Sequence, residues 1–212
     1  MIYYIIPARK GSKGLPFKNR KLLPFTINEI PDEELCNTYV TTNDEYIKEE
    51  CEKNNTNCII RSDFLSGDSV SIRDVLEDCV RRVEMKEDDV VVLLYLTYPQ
   101  RKWAMVKKIK DIFIDKDLDS LLCKKKPLTH PYLCFFESSI DASKGSQVVR
   151  HDNYRRQDYP NCFELSFYVC MFKVKELKNL SRNMFNDETY FFPLKEHLDI
   201  DTEKEFLEFL DT

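Results

Sequence analysis

Three short segments concentrate the residue types from which phosphate chemistry is built. The first, Pro7-Ala8-Arg9-Lys10-Gly11-Ser12-Lys13-Gly14-Leu15-Pro16-Phe17-Lys18-Asn19, carries two of the protein's four glycines. A glycine-containing loop that leaves a strand can bring backbone N–H groups up to phosphate oxygens. Arg9, Lys13 and Lys18 add cationic donors suited to a triphosphate. No G-K-[ST] ending opens a helix here, so this is not a Walker A loop; by composition it reads either as a phosphate loop or as a solvated basic turn. The second segment, Leu198-Asp199-Ile200-Asp201-Thr202, sets two carboxylates on alternate residues. In extended backbone both face one side, where they can share a divalent cation with substrate phosphates. Asp201 could equally cap a helix through Glu203-Lys204-Glu205-Phe206. The third, Asn153-Tyr154-Arg155-Arg156-Gln157-Asp158-Tyr159-Pro160, suits a carboxylate or sugar ligand, or a surface turn. His130, His151 and His197 stand isolated, with no triad or zinc spacing, and receive no catalytic role.

These segments must be positioned by the elements between them. Ile2 to Ile6 is a short apolar, β-rich run, and Thr38 to Thr42 reads as a second strand. Asp44 to Asn54 reads as a helix and Cys58 to Arg61 as a brief strand. From Ser71, the residues Ile72, Val75, Leu76, Cys79, Val80 and Val83 define one helical face, with Ser71 and Asp74 spaced as a capping box. Val90 to Leu96 is a continuous apolar run, as in a strand covered on both faces. Trp103, Val106, Ile109 and Phe113 mark another helix, followed by a strand over Asp119 to Lys124. Such alternation predicts a mostly parallel sheet with helices on both sides. Ligands then bind at the carboxyl ends of the strands, where the loops after Ile6, Thr42 and Leu96 would gather. Pro127 to Pro160 lacks a helical period and reads as a hairpin excursion; Phe163 to Phe172 returns to strand, and Glu203 to Leu210 makes a short closing helix.

At 212 residues the chain suits one substantial core. Interspersed charges of both signs and a net charge of -5 argue against a nucleic-acid coat or a membrane-surface role. The eight cysteines contain no C-x-x-C pair and several lie in apolar patterns, so they read as buried free thiols. With no signal peptide and no long apolar run, the expectation is a cytoplasmic, reduced protein.

Taken together, these residues resemble the acylneuraminate cytidylyltransferase family, which activates sialic acid and related sugar acids as cytidine monophosphate conjugates. The family's P-A-R-x-G-S-K-G-x-P-x-K-N opening is reproduced from Pro7 to Asn19. Its S-T-D-D-x-x-I segment is similar to Thr41 to Ile47, and R-P-x-x-L-x-x-D to Arg61 through Asp68. Its L-x-P-T-x-P-x-R element is similar to Leu94 to Arg101, R-Q-x-x-P to Arg156 through Pro160, and D-I-D to Asp199-Ile200-Asp201.

The resemblance implies a Rossmann-like three-layer α/β/α sheet of the nucleotide-diphospho-sugar transferase type in one domain over 1–212. It implies CTP as donor, Mg²⁺ as cofactor held by Asp199 and Asp201, and a homodimer in which residues 127–160 form an arm. Arg9, Lys18 and Asp201 would be the catalytic groups. Ala8, Gly11, Ser12, Lys13, Gly14, Asn19, Arg61, Asp68 and Ser71 would complete the nucleotide site. Tyr95, Thr97, Arg156, Gln157 and Glu164 would meet the acceptor. Departures gather on that acceptor side: Tyr95 replaces the family's Gln, Leu96 its Pro, and Glu164 an amide. A carboxylate at Glu164 would repel a sugar acid unless a cation intervened. Pro24 and Pro31 also leave little room for the family's first helix. An altered acceptor follows as the expectation, beside two rivals: a nucleotide-sugar glycosyltransferase and a degenerate nucleotide-binding homologue.

Overall fold

The computed structural model describes residues 1–195 and 197–211. In chain order the strands are β1 (Ile2–Pro7), β2 (Thr38–Thr42), β3 (Asn57–Ile60), β4 (Val90–Leu93), β5 (Ser120–Lys125), β6 (Phe135–Glu137), β7 (Gly145–Gln147), β8 (Glu164–Lys173) and β9 (Tyr190–Pro193). The helices are α1 (Lys18–Ile27), α2 (Asp32–Leu35), α3 (Glu45–Lys53), α4 (Ile72–Val83), α5 (Trp103–Asp115) and α6 (Glu203–Leu210). Seven strands form one sheet in the order β3-β2-β1-β4-β8-β5-β9. Only β8 runs against its neighbours β4 and β5; every other pairing in this sheet is parallel. The pair β6-β7 makes a separate antiparallel hairpin.

Strand β1 shows why the sheet is covered on both faces. Tyr4 and Ile6 join the core that also holds Leu22 and Leu23 of α1, Ile47 of α3 and Val106 and Phe113 of α5. Tyr3 and Ile5, on the opposite side by the two-residue period, join Val75, Leu76 and Cys79 of α4. Ser71 caps α4 in a complete capping box with Asp74, as its spacing predicts. All eight cysteines are free thiols; Cys51, Cys79, Cys123 and Cys170 are buried, whereas Cys36 is exposed and Cys58, Cys134 and Cys162 lie between.

Four elements depart from the sequence reading. Helix α1 forms with Pro24 inside it. Proline there removes one helical hydrogen bond, but Leu22, Leu23, Thr26 and Ile27 are buried against the sheet, and tertiary packing outweighs the local penalty. Pro31 does not block helix either, since it is the N-cap of α2. Strand β4 stops at Leu93, and β9 arises from a segment without a clear strand pattern.

Connections from β1 lead outward through β2 and β3, whereas β4 pairs on the other side of β1. The strand order therefore reverses between β1 and β4. Open α/β sheets bind ligands at the carboxyl ends beside such a reversal.

Candidate active site

The loop after β1 is held to the sheet before it reaches outward. Ala8 is fully buried; its N–H donates to the Thr41 carbonyl at 2.9 Å, and its carbonyl accepts from the Thr42 hydroxyl at 2.6 Å. The Asn19 amide donates to the Arg9 carbonyl at 2.8 Å, and the Lys10 N–H to Asn43 Oδ1 at 2.7 Å. The loop after Thr42 thus buttresses the site. Gly11 adopts φ +85°, and a Cβ built on Gly14 would overlap the Asp201 carbonyl oxygen. Each glycine is required for its own reason: a left-handed turn at Gly11 and a close backbone approach at Gly14. Phe17 sits at φ 57°, an uncommon conformation for a bulky residue, immediately before Lys18 opens α1.

These constraints frame a cleft of about 320 Å³ at the carboxyl ends of β1 and β4. Its walls are Arg9, Gly11, Ser12, Lys18 and Asn19, then Arg61, Leu65, Gly67, Asp68 and Val70 from beyond β3, Ile72 and Val75 of α4, and Tyr95 to Thr97 after β4. A neighbouring cleft shares Lys18, Tyr95 and Thr97 and adds Phe167, Asp199 and Asp201. The fold thereby brings the glycine-rich loop and the paired aspartates, far apart in sequence, to one place through Lys18. Lys18 Nζ lies 2.6 Å from Asp201 Oδ1.

The C-terminal segment resolves the two roles open to Asp201. The cap of α6 is Thr202, in a capping box with Glu205, so the Asp201 carboxylate is not consumed by the helix. Its N–H donates to Glu205 Oε2 at 2.9 Å, leaving the side chain directed to Lys18. Asp199 Oδ2 accepts from the Tyr98 hydroxyl at 2.9 Å. Burial, reinforced by the Asp199 charge, pushes the Tyr98 phenol up, so it is a donor at any working pH.

Asp68 bridges two cations of the first loop, at 2.6 Å from Arg9 Nη1 and 2.8 Å from Lys13 Nζ. Hydrogen bonds from Lys13 and Arg9 hold its carboxyl below the usual range. In this arrangement Asp68 occupies the anion position that the cations offer. Arg61 is buried and its Nε has no hydrogen-bond partner. Burial draws its guanidinium down; Cys79 opposes this and Arg9 adds to it. A desolvated cation on the wall of a cleft favours an acceptor-rich ligand face.

Of the remaining expected residues, Lys13 reaches the site through Asp68, Gly14 through Asp201, and Ser71 caps α4 without lining either cleft. Tyr95 and Thr97 line both clefts. Arg156 lines a different cleft of about 490 Å³ with Lys126, His130 and Tyr159, and Gln157 lies in the adjacent exposed turn. Glu164 lines a fourth, small cleft and pairs with Lys125 Nζ at 2.8 Å, so a cation does stand beside it. Within one chain these three residues are not on the walls of the Lys18 clefts. His130 and His151 are not isolated: the His151 ring stacks on Tyr132 at 3.9 Å and the His130 ring meets Tyr132 at 4.9 Å.

Sequence reasoning passed over Phe167, Tyr98 and Arg101. The Phe167 ring meets Tyr95 edge-to-face at 5.6 Å and walls the second cleft. Arg101, with 3% of its surface exposed, donates to the carbonyls of Tyr168 at 2.8 Å and Tyr95 at 2.6 Å. Burial draws its guanidinium down to about 10, against favourable contributions from Tyr168 and Tyr98. Its place at the end of the Leu94–Arg101 element was the available signal, but not its work of holding Tyr95.

A divalent cation suits the second cleft. Asp199 and Asp201 offer hard oxygen donors, and the Asp201 side chain is 69% exposed toward it. Among the described residues no three of His, Cys, Asp or Glu gather into a metal-binding group. A pair of carboxylates suits an ion that takes its other ligands from substrate and water. No helix among the described residues is long and apolar enough to cross a membrane.

Comparison with known proteins bears on the fold and on the kind of enzyme the chain is similar to. No family model matches the chain. It is 29% identical over 220 aligned residues to N-acylneuraminate cytidylyltransferases of Streptococcus agalactiae serotypes V and III, with 96% of this chain and 51% of the relatives covered. The chain is similar to cytidylyltransferases. It spans about half the length of the curated relatives it matches. In fold it is similar to CMP:2-keto-3-deoxy-manno-octonic acid synthetase complexed with CTP, at TM-score 0.67 and 14% identity over 100% of this chain and 99% of that one. The 4-diphosphocytidyl-2C-methyl-D-erythritol synthase of Anaerococcus prevotii gives 0.59 and 13% over 100% and 98%. At these identities the two structures establish the α/β sheet architecture.

Proposed function

We propose that the protein is a cytidylyltransferase that moves CMP from CTP to a sugar acid and releases pyrophosphate. The observation that carries this is the convergence of Arg9, Lys18 and the Asp199–Asp201 pair on adjoining clefts at the strand-order reversal. The triphosphate would displace Asp68 from Arg9 and Lys13, exchanging one anion for another without leaving either cation unpaired. Arg61, Asn19 and the loop before Ser71 would receive the cytidine. The acceptor hydroxyl, seated by Tyr95 and Thr97, would attack the α-phosphorus. One oxygen–phosphorus bond forms, the bond to the bridging oxygen breaks, and pyrophosphate leaves with that electron pair while the hydroxyl proton passes to solvent. Arg9 and Lys18 would neutralise the charge gathering on the leaving group, so catalysis is positioning and electrostatics. Mg²⁺ held by Asp199 and Asp201 would supply further charge neutralisation.

On this reading the chain is one nucleotidyltransferase domain of a cytoplasmic homodimer, with 127–160 as an arm that carries Arg156 and Gln157 toward a partner's acceptor. Neither nucleic acid nor a membrane is a partner. The acceptor is a nonulosonic acid or a related compound other than N-acetylneuraminate, because the Tyr95–Phe167 wall replaces an amide. Pyrophosphate release is measured with each of the four ribonucleoside triphosphates, Mg²⁺ and a panel of sugar acids. The expected result is turnover with CTP, abolished by chelation of the metal, and poor use of N-acetylneuraminate. Absence of pyrophosphate with every pair, or cleavage of an intact nucleotide-sugar instead, overturns the reading.

A further inference from the structure

Asp199 and Asp201 are held in different ways, and the difference singles out one residue. Asp201 is exposed and answers to Lys18. The segment bearing Asp199 is instead strapped to the loop after β4. The Ile200 N–H donates to the Thr97 carbonyl at 2.8 Å, and the Gln100 amide to the Leu198 carbonyl at 2.7 Å. Both bonds fix backbone. The side chain of Asp199 is fixed by the Tyr98 hydroxyl alone among these contacts, at 2.9 Å from Oδ2. That hydroxyl is itself immobilised: it accepts the Phe167 N–H at 3.2 Å. The Tyr98 ring is only 3% exposed and packs edge-to-face on Tyr168 at 5.8 Å. A hydroxyl donates one hydrogen bond, and Tyr98 commits its single donor to Oδ2. Oδ1 is thereby left for the cleft that Asp199 lines.

We infer that Tyr98 is a positioning residue that locks the Asp199 carboxylate in the orientation required to hold a divalent cation. This rests on the reading of Asp199 and Asp201 as the metal pair. A carboxylate free to rotate must be ordered at the moment of binding, whereas one already locked pays that cost in folding. The inference also explains why a buried phenol stands behind the cleft that Asp199 and Asp201 line. The same hydroxyl ties β8, through Phe167, to the segment that carries the carboxylates.

The test compares wild type, Y98F, D199N and the double variant. Direct Mn²⁺ binding is read from the loss of the free-ion electron paramagnetic resonance signal in the presence of CTP, beside the Mg²⁺ dependence of pyrophosphate release. Y98F keeps the ring. It is expected to weaken Mn²⁺ binding about tenfold and raise the half-saturating Mg²⁺ concentration by a similar factor, with CTP affinity in the absence of metal unchanged. In the D199N background the same change is expected to have no further effect on cation binding, since the carboxylate it orients is gone. Equal Mn²⁺ affinity in folded Y98F and wild type, or an effect of equal size with and without Asp199, overturns the inference. Should Y98F not fold, the hydroxyl proton resonance of Tyr98 in the wild type decides: it is expected to shift when Mg²⁺ and CTP are added, and an unmoved resonance overturns the inference. A wild type that binds Mn²⁺ through Asp199 but releases no pyrophosphate from CTP fails the proposed reaction alone. Turnover of CTP with Mn²⁺ binding indifferent to Tyr98 fails only the inference.

Discussion

The loop after β1 and the segment 127–160 are both irregular, yet they are ordered by different means. The first rests on a buried strand: Ala8 is bonded to β2 on both its N–H and its carbonyl, Gly14 touches the backbone of Asp201, and Lys18 reaches the same residue. The second holds a hairpin of two three-residue strands, β6 and β7, whose residues are all exposed. Its order comes from local contacts such as the His151–Tyr132 stack, while Phe136 and Ile140 stand 62% and 95% exposed. A two-stranded hairpin alone is marginally stable. Rigid positioning for chemistry is thus concentrated where the sheet supports it, and Phe136 and Ile140 lie on the face that the proposed partner subunit would cover.

The sharpest way to break that contrast is at Gly14. G14A is expected to cost about 1–3 kcal/mol, read by urea denaturation, because the Asp201 carbonyl must shift. Turnover should fall about a hundredfold with the displaced carboxylate. A substitution that leaves the fold alone, K18M, separates geometry from charge. Pyrophosphate release is expected to fall by about 10²–10³ with thermal stability nearly unchanged, since the Lys18–Asp201 pair is largely exposed on the Asp201 side. In the arm, F136S should change monomer stability by no more than about 0.5 kcal/mol while shifting the oligomer toward monomer in sedimentation; a large loss of monomer stability would show that the arm has a core of its own.

The smallest effect concerns acid. Glu205 is held below the usual carboxylate range by the N–H groups of Asp201 and Thr202 and the Thr202 hydroxyl, against the opposing pull of burial. Its folded pKa is depressed, so its contribution is complete above the unfolded value and is lost as pH falls through the folded one. E205Q should therefore flatten the decline of melting temperature below about pH 4.5, the ordinary glutamate range, and lower the melting temperature slightly near neutrality. A decline of equal steepness in the variant would place the acid limb elsewhere.

Several features were legible in the sequence because they are local. The capping box at Ser71 and Asp74 and the apolar stripe through Val83 specify α4 within one element. The period-two burial of Tyr3 to Ile6 needs only the pleat of a strand. The composition of Pro7 to Asn19 left a phosphate loop and a solvated basic turn both open, and gave no sign of the loop's anchors on β2. Helix α1 was not legible: Pro24 argues against it locally, and only the burial of Leu22, Leu23 and Ile27 on the sheet reverses the balance.

What the amino-acid order determined alone was the alternation of strands and helices, the glycine-rich basic loop and the pair of carboxylates two residues apart. Each follows from spacing along one segment. Tertiary structure alone decided that Asp201 answers to Lys18, that Tyr98 holds Asp199, and that Lys125 stands beside Glu164. Those outcomes depend on which distant segments the sheet brings together, and no periodicity encodes a contact 183 residues away.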